Sequence, residues 1–160
     1  MVGEIVPWLI AMSVLVLCSG FFSAGEAALF YLSERDRREL EVGSHSEQVV
    51  AQLLKNPERI LSAVLFWNLV INITYFAMAS VISIRLQEHE LGGESYAVGF
   101  SVVALMTIIF CSEMLPKSVA VLNARAIAIL SALPLALAVR LIQPLLPLTA
   151  MVNLISRRLL

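Results

Sequence analysis

The run from about Ile5 to Leu32 is apolar throughout except for Glu26 and a few small polar residues. As a helix it would rise roughly 1.5 Å per residue and outreach the ~30 Å hydrocarbon core of a bilayer. A chain that opens this way is built for lipid. Composition agrees: apolar residues make up 59% and charged residues 14%, against about 45–50% and about 25% in soluble domains. Backbone polar groups in lipid must be satisfied within the spanning element, which favours helices here. The expected class is an all-α integral membrane protein of one domain, residues 1–160. The net charge of −1 offers no field for nucleic acid, so none is expected as a partner. The residues before the first run, Met1 to Ile5, lack a positive n-region, so the run reads as a retained span. Cys18 and Cys111 lie inside apolar runs and read as buried free thiols.

Three further apolar stretches follow, at about 60–84, 96–115 and 126–151. The loop after the first carries Arg35, Arg37, Arg38, Lys55 and Arg59; the loop after the second carries Arg85 with Glu88, Glu90 and Glu94. The excess of bases puts the first loop in the cytoplasm and the N-terminus outside. Lys117 and Arg125 return to the cytoplasmic side. A full fourth crossing would place Arg157 and Arg158 outside. The stretch 126–151, with Pro134, Arg140, Gln143, Pro144 and Pro147, is therefore read as a broken, re-entrant or juxtamembrane helix returning to the cytoplasm. An ordinary fourth span kinked by proline is the alternative. Between the first two spans, 34–42 and 47–54 read as short helices with "VGSHS" as their turn, and Asn56-Pro57 as a cap and first helical residue.

Polar residues recur inside the spans. Ser19, Ser23 and Glu26 fall at i, i+4, i+7, on one helix face. Asn68 and Asn72 are four apart, with Tyr75 continuing the line, and the third span ends in "CSEMLPKS", with Glu113 and Lys117 four apart. Counted from the basic ends, Ser23 is about 18 Å in and Asn68 about 15 Å in. Three spans can thus line one cavity open to the cytoplasm. Pro116 has no N–H, so the Ser112 carbonyl loses its helical donor and becomes a hard oxygen ligand. Unwinding at Gly20 would expose further carbonyls. Oxygen-only ligands suit Mg²⁺, Ca²⁺ or Na⁺. Each residue also has a plain structural role: serines bonding back to their own helix, asparagines tying helices together, carboxylates pairing with nearby bases. Intramembrane carboxylates are nonetheless costly and tend to mark function.

"FFSAGEAAL" (21–29), "NPERILSAVLFWNLVIN" (56–72) and "SEMLPKSVA" (112–120) together resemble the transmembrane domain of the CorC/cyclin-M (CNNM) family of magnesium transporters. Ser112 stands where that family commonly has glycine, and Ala27 where threonine is frequent. The resemblance implies three transmembrane helices plus juxtamembrane helices, a homodimer, a bacterial inner-membrane location and Na⁺-coupled Mg²⁺ export. It also implies cytosolic CBS domains beyond this segment, through which alone ATP would bind. By motif position the Mg²⁺ ligands are Ser19, Ser23, Asn68, Glu113 and a carbonyl of the Gly20 turn. Glu26, Asn72, Ser112 and Lys117 then line the path or support the ligands.

The mechanism so implied is alternating access. Mg²⁺ enters from the cytoplasm, sheds water onto these oxygens, and is released outward as Na⁺ competes. A non-transporting module that senses the cation for a partner is the alternative, and a passive channel is another. No enzyme is expected: His-Glu-x-x-His and Gly-x-Ser-x-Gly are both missing from the sequence.

Overall fold

The computed structural model describes residues 2–87 and 93–142, with side chains from residue 5 onward. Described residues are helical except at short turns. The helices are α1 (Val2–Tyr31), α2 (Glu34–Glu41), α3 (His45–Leu54), α4 (Pro57–Gln87), α5 (Gly93–Thr107), α6 (Leu115–Leu122) and α7 (Ala124–Ile142), with a π-helical segment, Ile108–Met114, between α5 and α6. The π segment joins its neighbours without a break, so Gly93–Leu122 is one 30-residue helical rod.

Four helical stretches are long and apolar enough to cross a bilayer: Ile5–Tyr31, Pro57–Gln87, Gly93–Leu122 and Ala124–Ile142. The chain is a multi-pass membrane protein. The fourth stretch matches, by length and composition, the alternative of a fourth span, and the part of 126–151 beyond Ile142 lies outside the described residues. Within the described residues α7 runs unbroken through Pro134. It lies alongside α1 and α4 rather than flat on the surface. The Trp67 indole N–H donates to the Ala138 carbonyl at 3.2 Å, which fixes α7 to α4 well inside the apolar region. Pro134 is tolerated because it sits on the exposed face, while Ala128, Ser131, Ala132, Leu135 and Ala138 pack inward. Gln143, Pro144, Pro147, Met151, Arg157 and Arg158 lie outside the described residues, as do Glu88 and Glu90.

α1 is the central helix, touching α4, the π segment, α6 and α7. Gly25 makes its contact with α7 close. A β-carbon there would come within 2.8 Å of both Ser131 and Leu135. Small residues let membrane helices approach in this way, where dispersion replaces the hydrophobic effect as the main attraction. α1 also continues as one α-helix through Gly20 and Gly25, so the unwinding considered at Gly20 is not seen. At Gly20 a β-carbon would sit 3.1 Å from the Cys111 carbonyl oxygen and 3.0 Å from Pro116 Cγ, so this glycine serves close packing on the π segment.

The short helices between α1 and α4 are capped as their sequences ask. The Ser33 hydroxyl accepts the Asp36 N–H at 3.2 Å, and the Glu47 carboxylate accepts the Ser44 N–H at 2.7 Å. This second cap starts α3 two residues before the expected Glu47. α4 begins at Pro57, as expected.

Candidate cation site

Buried apolar residues form two separate clusters. One gathers Leu29, Leu32, Leu40, Val50, Ile60, Val64, Ala120 and Leu135 near the end that bears α2 and α3. The other gathers Met12, Val16, Tyr75, Ala79, Ile82, Ala104 and Ile108 toward the opposite end. The three helices that enter both clusters therefore have a gap between their two apolar patches. On α1 the gap holds Ser19 and Ser23, on α4 it holds Asn68 and Asn72, and on the third rod it holds Ser112. The structure brings these into one polar layer, and Ser19 lies near the middle of its span.

Ser19 Oγ lies 3.3 Å from Asn68 Oδ1 and 3.2 Å from Ser112 Oγ. Three oxygens from three helices thus converge. A hydroxyl has one proton, so Ser19 can donate to only one of its neighbours at a time. The three oxygens keep lone pairs beyond those the Ser19 proton can fill, and a cation can use them. Ser23, one turn along α1, is fully buried and its hydroxyl has no partner. The Asn72 amide oxygen is also buried without a partner. Buried oxygens are rarely left this way unless something else occupies them.

Six other membrane hydroxyls sharpen the contrast, although Ser83 instead donates across to the Ala97 carbonyl at 3.3 Å. Ser13, Thr74, Ser101, Thr107, Ser118 and Ser131 each donate to the carbonyl four residues back, at 2.7–2.9 Å. This is the ordinary fate of a hydroxyl in an apolar helix. Ser19, Ser23 and Ser112 make no such bond. Tyr75 does not continue the line of Asn68 and Asn72 as a ligand, because its hydroxyl donates to the Ala104 carbonyl at 3.0 Å.

The π segment explains how Ser112 comes to face Ser19. Proline removes a helical N–H and clashes with the carbonyl four residues earlier, here that of Ser112. Widening the preceding turns to i→i+5 bonds, such as Leu115 N–H to the Phe110 carbonyl, accommodates it. π insertions of this kind are frequent at functional sites. The backbone irregularity expected at Gly20 is found here instead.

Glu113 is not in the oxygen cluster. Ser112 points inward and is fully buried, whereas Glu113 and Lys117 are exposed. Glu26, half-buried on α1, lies within electrostatic reach of both Lys117 and Glu113. The three charged groups thus form a separate tier on the α2–α3 side of the layer. Nor do Ser19, Ser23 and Ser112 open onto a cavity, since none has accessible surface. A cavity of about 520 Å³, mostly apolar, lies between α1 and α5 on the other side of the layer. No group of three His, Cys, Asp or Glu residues is poised to hold a metal among the described residues. Cys18 and Cys111 are free and exposed rather than buried.

Sequence reasoning ranked Ser112 below Glu113. Pro116 was read for the carbonyl it frees, but the π turns that precede it were not foreseen.

Comparison with known proteins agrees with this architecture. A UPF0053 protein of Haemophilus influenzae is 31% identical over 122 residues, covering 74% of this chain and 28% of its own length. The UPF0053 inner membrane protein YfjD of Escherichia coli is 31% identical over 143 residues, covering 89% of this chain and 32% of its own length. The chain thus spans about a third of the curated relatives it matches. The profile described as "Cyclin M transmembrane N-terminal domain" matches residues 2–160, and the chain belongs to that family.

Proposed function

We propose that this domain carries Mg²⁺ across the membrane, with Na⁺ as the coupling ion, and that the ion sheds water onto Ser19, Ser23, Asn68 and the Ser112 carbonyl. The observation that carries this reading is the set of hydroxyls that refuse the back-bond. Ser19, Ser23 and Ser112 face one another or nothing, beside the Asn68 amide. Hard oxygen donors in a small buried space match what Mg²⁺ requires. Family membership supports a role in divalent cation transport.

The buried layer corresponds to an occluded state in an alternating-access cycle. Glu113 joins the ion when the π segment shifts its extra residue along the rod, turning the carboxylate inward to offset part of the charge. The Glu26, Glu113 and Lys117 tier then faces the cytoplasm, from which Mg²⁺ enters. In this reading the α2–α3 side is cytoplasmic, the N-terminus is outside, and two copies pair in the bacterial inner membrane. Na⁺ arriving from outside competes for the same oxygens and drives release.

Purified protein in sealed liposomes with a Mg²⁺-sensitive dye tests this. Saturable flux that depends on the Na⁺ gradient, and that falls to background in Glu113→Gln, is expected. Wild-type flux in that variant would remove Glu113 from the mechanism. Mg²⁺ binding with no flux in the unmodified protein would favour a sensing module instead, a reading to which the complete burial of the hydroxyls lends some weight.

A further inference from the structure

The bases on the loop between α1 and α4 divide into two sets. Arg35 pairs with Glu39 at 3.1 Å and Arg38 reaches Glu34 at 4.0 Å. Among the described residues Arg37 and Lys55 have no ion-pair partner, although Glu41 is one helical turn from Arg37. Those two bases instead line one pocket of about 170 Å³, formed with Glu41, Ala51 and Leu54. Arg37 and Glu41 come from α2; Ala51 and Leu54 come from the end of α3, and Lys55 is its C-cap.

The pocket's depth follows from the chain. Arg37 is six residues beyond the end of α1 at Tyr31, and Lys55 is two residues before α4 begins at Pro57. Both helix ends mark the edge of the apolar region. The exposed ring of Tyr31, 64% accessible, marks the same level, where aromatic residues gather at the membrane surface. The pocket therefore lies in the headgroup layer, with two cations, one carboxylate and an apolar floor.

We propose that this pocket binds the headgroup of a membrane phospholipid that carries a primary ammonium beside its phosphate, as phosphatidylethanolamine does. The Arg37 guanidinium and the Lys55 ammonium take the phosphate oxygens, for which an Arg fork and a Lys point charge are both suited. Glu41 takes the ammonium. Ala51 and Leu54 meet the apolar part of the lipid. A purely anionic headgroup would leave Glu41 facing like charge, and a trimethylated ammonium would offer it no N–H donor. The site is independent of the ion layer and does not rest on its chemistry.

The test is thermal unfolding of the full chain in detergent, with dioleoyl phosphatidylethanolamine, phosphatidylglycerol, phosphatidylcholine or inorganic phosphate added. A ligand that binds only the folded state raises Tm by mass action. Phosphatidylethanolamine should raise Tm by about 2–4 °C, the shift expected of about 1 kcal/mol in a domain this size, and phosphatidylcholine by clearly less. Arg37→Gln with Lys55→Gln should abolish the increment, and Glu41→Gln should erase the preference over phosphatidylcholine. An equal shift from inorganic phosphate or from phosphatidylglycerol would overturn the assignment in favour of a general anion site. An unchanged increment in the double variant would overturn the pocket itself. These substitutions alter exposed side chains, so the variants should fold, and unaltered Mg²⁺ binding would verify it.

Discussion

The polar layer within the membrane and the helical hairpin at its edge are built on opposite principles. The hairpin is charged and exposed, yet its key groups are answered: Glu47 caps Ser44 and pairs with Arg125, and Glu39 is held by both Arg35 and Arg125. The layer is neutral and sealed, yet Ser23 and Asn72 keep oxygens that nothing answers. Burial makes an unanswered group expensive, whereas exposure lets water answer it at little cost. Satisfaction where it is cheap and its lack where it is dear point to different purposes. The hairpin holds the fold together, whereas the layer keeps lone pairs that the proposed ion would use.

The sharpest way to break this comparison is Ser23→Ala. If the hydroxyl waits for an ion, its loss should weaken Mg²⁺ binding on the order of 100-fold, at the upper end of what contacts around a metal site carry. That corresponds to about 2.8 kcal/mol. The same change should leave Tm unaltered or raise it, because it removes an orphaned buried oxygen. Isothermal titration with Mg²⁺ and a melting curve on one preparation decide it. Unchanged affinity with a lowered Tm would make Ser23 an ordinary structural residue and collapse the contrast.

A second test concerns why the layer is sealed. Gly25 lets α7 close against α1, and a methyl group there meets Ser131 and Leu135 at 2.8 Å. Gly25→Ala should destabilise the fold by about 2 kcal/mol through overpacking, measured by unfolding in detergent. Part of that cost can be relieved by Leu135→Ala, which empties the space the methyl needs. A neutral Gly25→Ala would mean that α1 and α7 are free to separate.

Much of this arrangement was legible in the residues. Apolar run length marked the long helices, and the i, i+4 spacing of Ser19 with Ser23 and of Asn68 with Asn72 placed the polar faces. The helix starts at Glu34 and Pro57 were equally plain, because the signals that open a helix are local chemistry. Errors arose where a tertiary neighbour decides. Gly20 looked like a place to unwind, since glycine is permissive in isolation; against a close neighbour it is chosen for its missing side chain. Pro134 looked like a break, but a proline on the outer face costs the helix one bond and no packing. At Pro116 the covalent effect was anticipated, but the answering change from α to π turns was not. Without that change Glu113 and Ser112 cannot be told apart as ligands. Tyr75 shared a face with the asparagines, and only the nearness of the Ala104 carbonyl decided its use.

The smallest expected effect falls on the hairpin and tests whether its charges are as fully answered as they look. Arg125 Nη1 meets Glu39 at 2.7 Å and Nη2 meets Glu47 at 3.2 Å, joining the start of α7 to α2 and α3. The pairs are partly solvated, and such contacts carry little stability each. Arg125→Gln should therefore lower Tm by less than Gly25→Ala does. Its pH dependence is more telling. The Glu39 carboxyl is held below its ordinary value of 4.5 by hydrogen bonds from Arg35 first and then Arg125. Glu47 is held below the same value by the Ser44 N–H and hydroxyl first, and then by Arg125. A carboxylate whose folded pKa is depressed contributes stability that is fully present above its unfolded pKa. The contribution is lost as pH falls through the lower, folded value. Stability from this pair of acids should thus be level from neutral pH down to about 4.5 and decline below it. In Arg125→Gln the decline should be shallower but still present, because Arg35 and Ser44 keep their hold. Melting curves between pH 7 and pH 3 measure both slopes. Identical slopes would place the work on the Ser44 cap and Arg35 alone, leaving Arg125 as an ornament on a hairpin that folds without it.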